Sequence, residues 1–229
     1  MKSWFCVLLA AASLSPLRAA ERCPRTGWTS GYWSTLAAQP CRENLNQNPV
    51  IILSPNRKQL LLVKEDEVFE KALDGESPEE LFAYRPGEEF LWSPDSSVVL
   101  VSFCFGAAGP CGVASSINGE NEPTITEIVR KEFASGHEND TCYVDVNVGA
   151  LTWENDTDQI VVVAEIPPSP SCVGHKEGYF ESMVVSLSQR KVLSRYNMQE
   201  TIHRWRSILG EGLRQDILLV REDAETGHQ

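Results

Sequence analysis

The stretch Phe90-Leu-Trp-Ser-Pro-Asp-Ser-Ser-Val-Val-Leu-Val-Ser102 decides the fold class. An apolar run ends at Trp92, Ser93-Pro94-Asp95 interrupts it, and a β-branched run resumes at Val98. Proline's fixed φ suits the first central position of a type I turn, and the short Asp side chain can bond the local backbone. Two strands around such a turn read as an antiparallel hairpin.

The same pattern lies on either side. Upstream, Pro49-Val-Ile-Ile-Leu53 leads through Ser54-Pro-Asn56 to Gln59-Leu-Leu-Leu-Val63. Downstream, Ala150-Leu-Thr-Trp153 leads through Glu154-Asn-Asp-Thr-Asp158 to Gln159-Ile-Val-Val-Val163. A further apolar stretch and a second turn follow each copy: Asp74-Gly75, Asn118-Gly119 and Ser188-Gln-Arg190. Asp-Gly and Asn-Gly favour tight hairpins. The spacing is 39 residues from Ser54 to Ser93 and 61 from Trp92 to Trp153.

Trp92-Ser-Pro-Asp95 followed by Val98-Val-Leu-Val101 resembles the repeat of Tol-type periplasmic and WD40-like β-propellers. That resemblance covers roughly residues 49 to 193 in three copies. Arg57 and Ser96 stand where the repeat carries glycine, and the third copy lacks Ser-Pro. It implies a mainly β chain of antiparallel, propeller-like four-stranded modules, an incomplete or four-bladed ring, since closed propellers typically need about four to eight blades.

The C-terminal part changes period. Met198, Ile202, Trp205, Leu209 and Leu213 share one helical face. Asn197 and Glu200 form a capping-box pattern at its start, and Gly210 and Gly212 place its end near Leu209. A final strand is expected over Ile217-Leu-Leu-Val220, and a polar tail over 221–229. Ser77-Pro-Glu-Glu80 resembles a helix start, so a single turn is expected over Pro78 to Ala83.

Residues 1–20 read as a cleavable signal peptide. Lys2 precedes the apolar run Trp4–Leu14, and Ala19 and Ala20 stand where a peptidase would cut. That run is about half the ~20 residues of a membrane-spanning helix, so no membrane span is expected. The remaining 21–220 read as one domain in a secreted or periplasmic compartment. Cys23, Cys41, Cys104, Cys111, Cys142 and Cys172 make an even set there, consistent with three disulfides. Sequence order favours 23–41, 104–111 and 142–172 among the possible pairings.

The chain carries a net charge of −12. Removing Lys2 and Arg18 with the signal leaves 18 basic against 32 acidic residues, a net charge of −14. Such acidity repels phosphate backbones and anionic membrane surfaces, which argues against nucleic-acid and lipid-headgroup partners.

No nucleophile-elbow, zincin, phosphate-loop or redox-pair pattern occurs. No metal or cofactor is therefore expected; Asn155, Asp156 and Asp158 lack the glycine and distal glutamate of a calcium loop. His137, His175, His203 and His228 are scattered and read as ordinary surface histidines. Asn139-Asp-Thr141 and Asn155-Asp-Thr157 match the glycosylation pattern.

Trp92 and Trp153 fall in apolar runs and read as core. Trp28, Tyr32 and Trp33 lie outside them and are candidate exposed binding residues, together with Phe105 in the 103–112 loop. The expectation is an exported, non-catalytic binding module for a protein or an extracellular polymer, met by the 103–112 and 167–172 loops. The alternative is an extracellular or periplasmic hydrolase whose catalytic residues are dispersed along the chain.

Overall fold

The computed structural model describes residues 28–41, 45, 49–64, 67–73, 79–85, 87–104, 110–116, 124–137, 146–154, 158–167 and 178–215. Three antiparallel sheets dominate these residues, and no closed barrel or ring of sheets forms among them. Sheet one is the meander β3 (Val50–Leu53), β4 (Gln59–Lys64), β5 (Glu67–Ala72) and β6 (Glu79–Ala83). Sheet three is the meander β10 (Asn147–Trp153), β11 (Gln159–Ile166), β12 (Tyr179–Ser186) and β13 (Lys191–Tyr196). Sheet two orders β1 (Trp28–Ser30), β2 (Ala38–Pro40), β7 (Glu89–Trp92), β8 (Val99–Cys104) and β9 (Cys111–Ser115). The three hairpins read at the corner turns are present, whereas the Asn118-Gly119 turn lies outside the described residues and β9 before it is followed by a helix. Ile52 faces Leu61, Leu91 faces Leu100, and Trp153 faces Ile160.

The three corner turns close alike. Ser54 N–H donates to Gln59 O at 3.0 Å, Ser93 N–H to Val98 O at 2.8 Å, and Glu154 N–H to Gln159 O at 2.9 Å. In the first two the serine hydroxyl also bonds the Asn56 or Asp95 side chain, at 2.9 and 2.7 Å. Arg57 and Ser96, at equivalent places in these two turns, both take positive φ, 57° and 67°. Both hold a left-handed conformation that glycine adopts more readily, at a cost of about 1–2 kcal/mol each.

Strand alternation stacks the sheets face to face. Phe90, Trp92, Val99 and Val101 of sheet two pack on Ile52, Leu61, Val63 and Val68 of sheet one. Leu91, Leu100 and Val113 point the other way, onto Val148, Ile160 and Val162 of sheet three. Sheet two is thus covered on both sides, which explains its unbroken apolar runs.

Helix α1 (Ile125–Ser135), between β9 and β10, buries Ile125, Val129 and Phe133. The far face of sheet three meets Leu209, Leu213 and α2 (Met198–Trp205), whose Asn197/Glu200 capping box is present on both sides. This helix ends at Trp205, four residues before the expected Leu209, and a helical turn follows over 211–215.

Two expectations need correction or extension. Residues 79–83 form a strand paired to β5, not a helical turn. The fourth strand each meander needs outweighs the local Ser-Pro-Glu-Glu preference. The segment 28–40, outside the apolar runs of the repeats, supplies β1 and β2 and extends sheet two. Residues 1–20, the expected strand 217–220 and the tail 221–229 lie outside the described residues. Among the described residues no helix is long and apolar enough to cross a membrane.

Candidate functional site

Equivalent residues of the three repeats meet at one place. Leu53, Trp92 and Trp153 each precede their corner turn, and all three line a single groove of about 660 Å³. Pro55 and Pro94, equivalent turn residues, add to it. The first strands contribute consecutive residues, Ile51 to Leu53 and Phe90 to Trp92. Consecutive strand residues point to opposite faces, so a groove that touches all of them runs along strand edges. Among the described residues β3 pairs only with β4 and β10 only with β11, and β2 reaches β7 at the single pair Ala38 and Phe90. Main-chain groups of free edges therefore border an apolar trough.

The groove is open on one side. Leu36, Ile51 and Leu53 are 55 %, 50 % and 48 % exposed. Trp92 and Trp153 form its floor at 9 % exposed each, consistent with a packing role. Their indole N–H groups have no hydrogen-bond partner among the described residues. Trp28, a half-buried candidate, lines the same groove.

Tyr32 and Trp33 lie elsewhere, on a strap that joins β1 to β2. Trp33, expected to be exposed, is buried at 3 %, with its ring against Gly149, where a Cβ would overlap it. Tyr32 stays partly exposed but donates its hydroxyl to Glu165 Oε1 at 2.9 Å. The strap is drawn in by Glu89, whose carboxylate accepts the N–H groups of Tyr32 and Trp33. Burial pushes the Glu89 carboxyl up to about 7, against the lowering effect of those N–H bonds. Glu88 is likewise pushed up to about 7 by burial, which outweighs its Arg85 contacts. Phe105 lies outside the described residues, as do the other residues of 105–109 and all but Pro167 of the 167–172 loop.

A further buried carboxylate sits beside α1. Glu181 pairs with Arg195 at 2.8 Å, accepts from the Tyr179 hydroxyl at 3.3 Å, and lies 3.8 Å from His137 Nε2. Burial raises the Glu181 carboxyl despite Arg195, and burial with the adjacent Glu181 charge pushes Tyr179 up to about 12. His137, expected as a surface histidine, stacks on Phe133 at 4.7 Å and is mostly covered. His203 is exposed on α2, while His175 and His228 lie outside the described residues.

Cys104 and Cys111 form a disulfide that closes the β8–β9 connection. Cys41 is buried, and Cys23, Cys142 and Cys172 lie outside the described residues. Of the acidic turn at 155–158 only Asp158 is described. It accepts from Ser186 Oγ at 2.8 Å and Ser188 N–H at 2.7 Å, pinning the β12–β13 turn. Among the described residues no three His, Cys, Asp or Glu side chains gather as metal ligands do. No family model, curated protein or solved structure matches the chain.

Proposed function

We propose that this chain is an exported, non-catalytic binding module of propeller-like build, whose ligand is an extended apolar polypeptide segment seated in the groove. The observation that carries the reading is the convergence of Leu53, Trp92 and Trp153, one residue from each repeat, on one trough. Free strand edges offer main-chain hydrogen bonds, and the apolar walls select side chains, which is the chemistry of strand addition. β3 carries no charge, no proline and no bulge to discourage such pairing. Export rests on the leader pattern of residues 1–20 and accords with the Cys104–Cys111 bond.

The test uses a labelled Lys-(Thr-Val)3-Lys peptide and fluorescence anisotropy. Replacing half-exposed Ile51 and Leu53 together by lysine should weaken binding at least tenfold while the melting temperature holds. Equal binding by the double variant, or no binding by the parent chain, would remove the groove from the account. N-terminal sequencing of the exported protein should start at Ala20 or Glu21; an intact Met1 would remove the export reading.

A further inference from the structure

The outer wall of the groove hangs on the strap. Trp28, Leu36 and Ala38 line the groove from the β1–β2 hairpin, and residues 31–37 connect its strands. Glu89 holds this connection from below. Its Oε1 accepts from Tyr32 N–H, and Trp33 N–H lies 3.4 and 3.3 Å from its two oxygens. A Cβ on Gly31 would overlap the carboxylate, so the strap lies directly on the acid.

We propose that Glu89 is a proton-sensitive positioning residue that sets how firmly the β1–β2 strap closes the wall of the groove. The inference rests on the groove being the binding site.

The groups facing Glu89 leave it little other control. The strap presents only the N–H groups of Tyr32, Trp33 and Ser34. Sheet two adds the neighbour Glu88 and the cross-strand partner Ser102. Sheet three adds Glu165, at the far end of the Tyr32 side chain. No lysine, arginine or histidine pairs with Glu89 among the described residues.

The direction follows from linkage. With the strap closed, burial holds the carboxyl up at about 7; release admits water and lowers it toward the ordinary carboxylate range. The closed strap therefore binds the proton more tightly, so acid favours closure and rising pH favours release. The closed-to-released ratio should fall as pH rises toward about 7 and level off above.

The experiment is amide exchange of Tyr32 and Trp33 in the full chain from pH 5 to 8, corrected for intrinsic rates, with Lys-(Thr-Val)3-Lys affinity measured in parallel. Protection and affinity should fall together up to about pH 7 and then flatten. Glu89→Gln, a neutral isostere, should keep both high and level with pH. Glu88→Gln should leave the transition in place, because Glu88 accepts nothing from the strap in this structure. A flat profile in the parent chain, a transition kept by Glu89→Gln, or one abolished by Glu88→Gln would overturn the proposal. Should Glu89→Gln fail to fold, the parent profile decides alone. Peptide binding without pH dependence sinks only this proposal. Absent peptide binding with an intact amide transition sinks the groove reading instead.

Discussion

The backbone N–H of Asn56 donates to the hydroxyl of Ser96 at 3.1 Å, so the corner turns of the first two repeats are joined directly. Ser96 holds a left-handed conformation that glycine adopts more readily, and its hydroxyl is the acceptor for Asn56. Ser96→Ala keeps the strain and deletes the acceptor, so it should cost about 1 kcal/mol in chemical denaturation. Arg57→Gly relieves the same strain at an exposed position that makes no such link. It should stabilise by up to about 1 kcal/mol.

The Cys104–Cys111 bond closes a short loop and should contribute about 2–3 kcal/mol by the chain-entropy estimate. Peptide mapping of unreduced protein should recover the two cysteines linked. Replacing both by alanine should lower stability by that amount and leave peptide binding in place, since neither lines the groove.

Gly149 supports the Trp33 ring on the far side of sheet three. Gly149→Ala forces the ring or the strand to move, and should cost about 1–3 kcal/mol. Trp33→Ala empties a site among Leu151, Val163 and Leu209, and should cost about 3–5 kcal/mol. Thermal melts of the two variants check both values. A near-neutral Trp33→Ala would return that residue to the surface role its sequence context predicts.

Stability should fall as pH rises through the neutral range. Glu88 and Glu89 have folded values near 7 against 4.5 unfolded, so the folded state binds more protons between those limits. Their favourable contribution is complete below 4.5 and lost by about 7. Together it is on the order of a few kcal/mol. Asp95 acts in the opposite sense, because Ser93 and Ser97 hold its carboxyl below the usual range; being fully exposed, it contributes little. The urea midpoint should drop between pH 5 and 7.5, and Glu89→Gln should flatten the slope.

Local chemistry made the hairpins legible. Serine, proline and a short acid or amide between apolar runs specify a turn whatever the rest of the chain does. α1 carries a local signal of its own, Thr124 and Glu127 as a capping box with Ile125, Val129 and Phe133 at helical spacing, although no helix was expected there. Residues 79–83 misled because the proline and acids suit a helix start, while a vacant sheet edge decided the outcome.

The strap was not legible. Glu89 lies 56 residues from Trp33, and among 32 acidic residues nothing local marks it as buried. The groove was half legible: the equivalence of Trp92 and Trp153 could be read from the repeats, their meeting at one trough could not.

The most direct measurement is a two-dimensional NMR titration of the tryptophan indole N–H signals with Lys-(Thr-Val)3-Lys. The account predicts that Trp92 and Trp153, from different repeats but one groove floor, shift together with a single affinity, with Trp28 following and Trp205 unmoved. Silence of both floor indoles, with shifts confined to backbone N–H signals of the 103–112 and 167–172 loops in the same spectra, would contradict it.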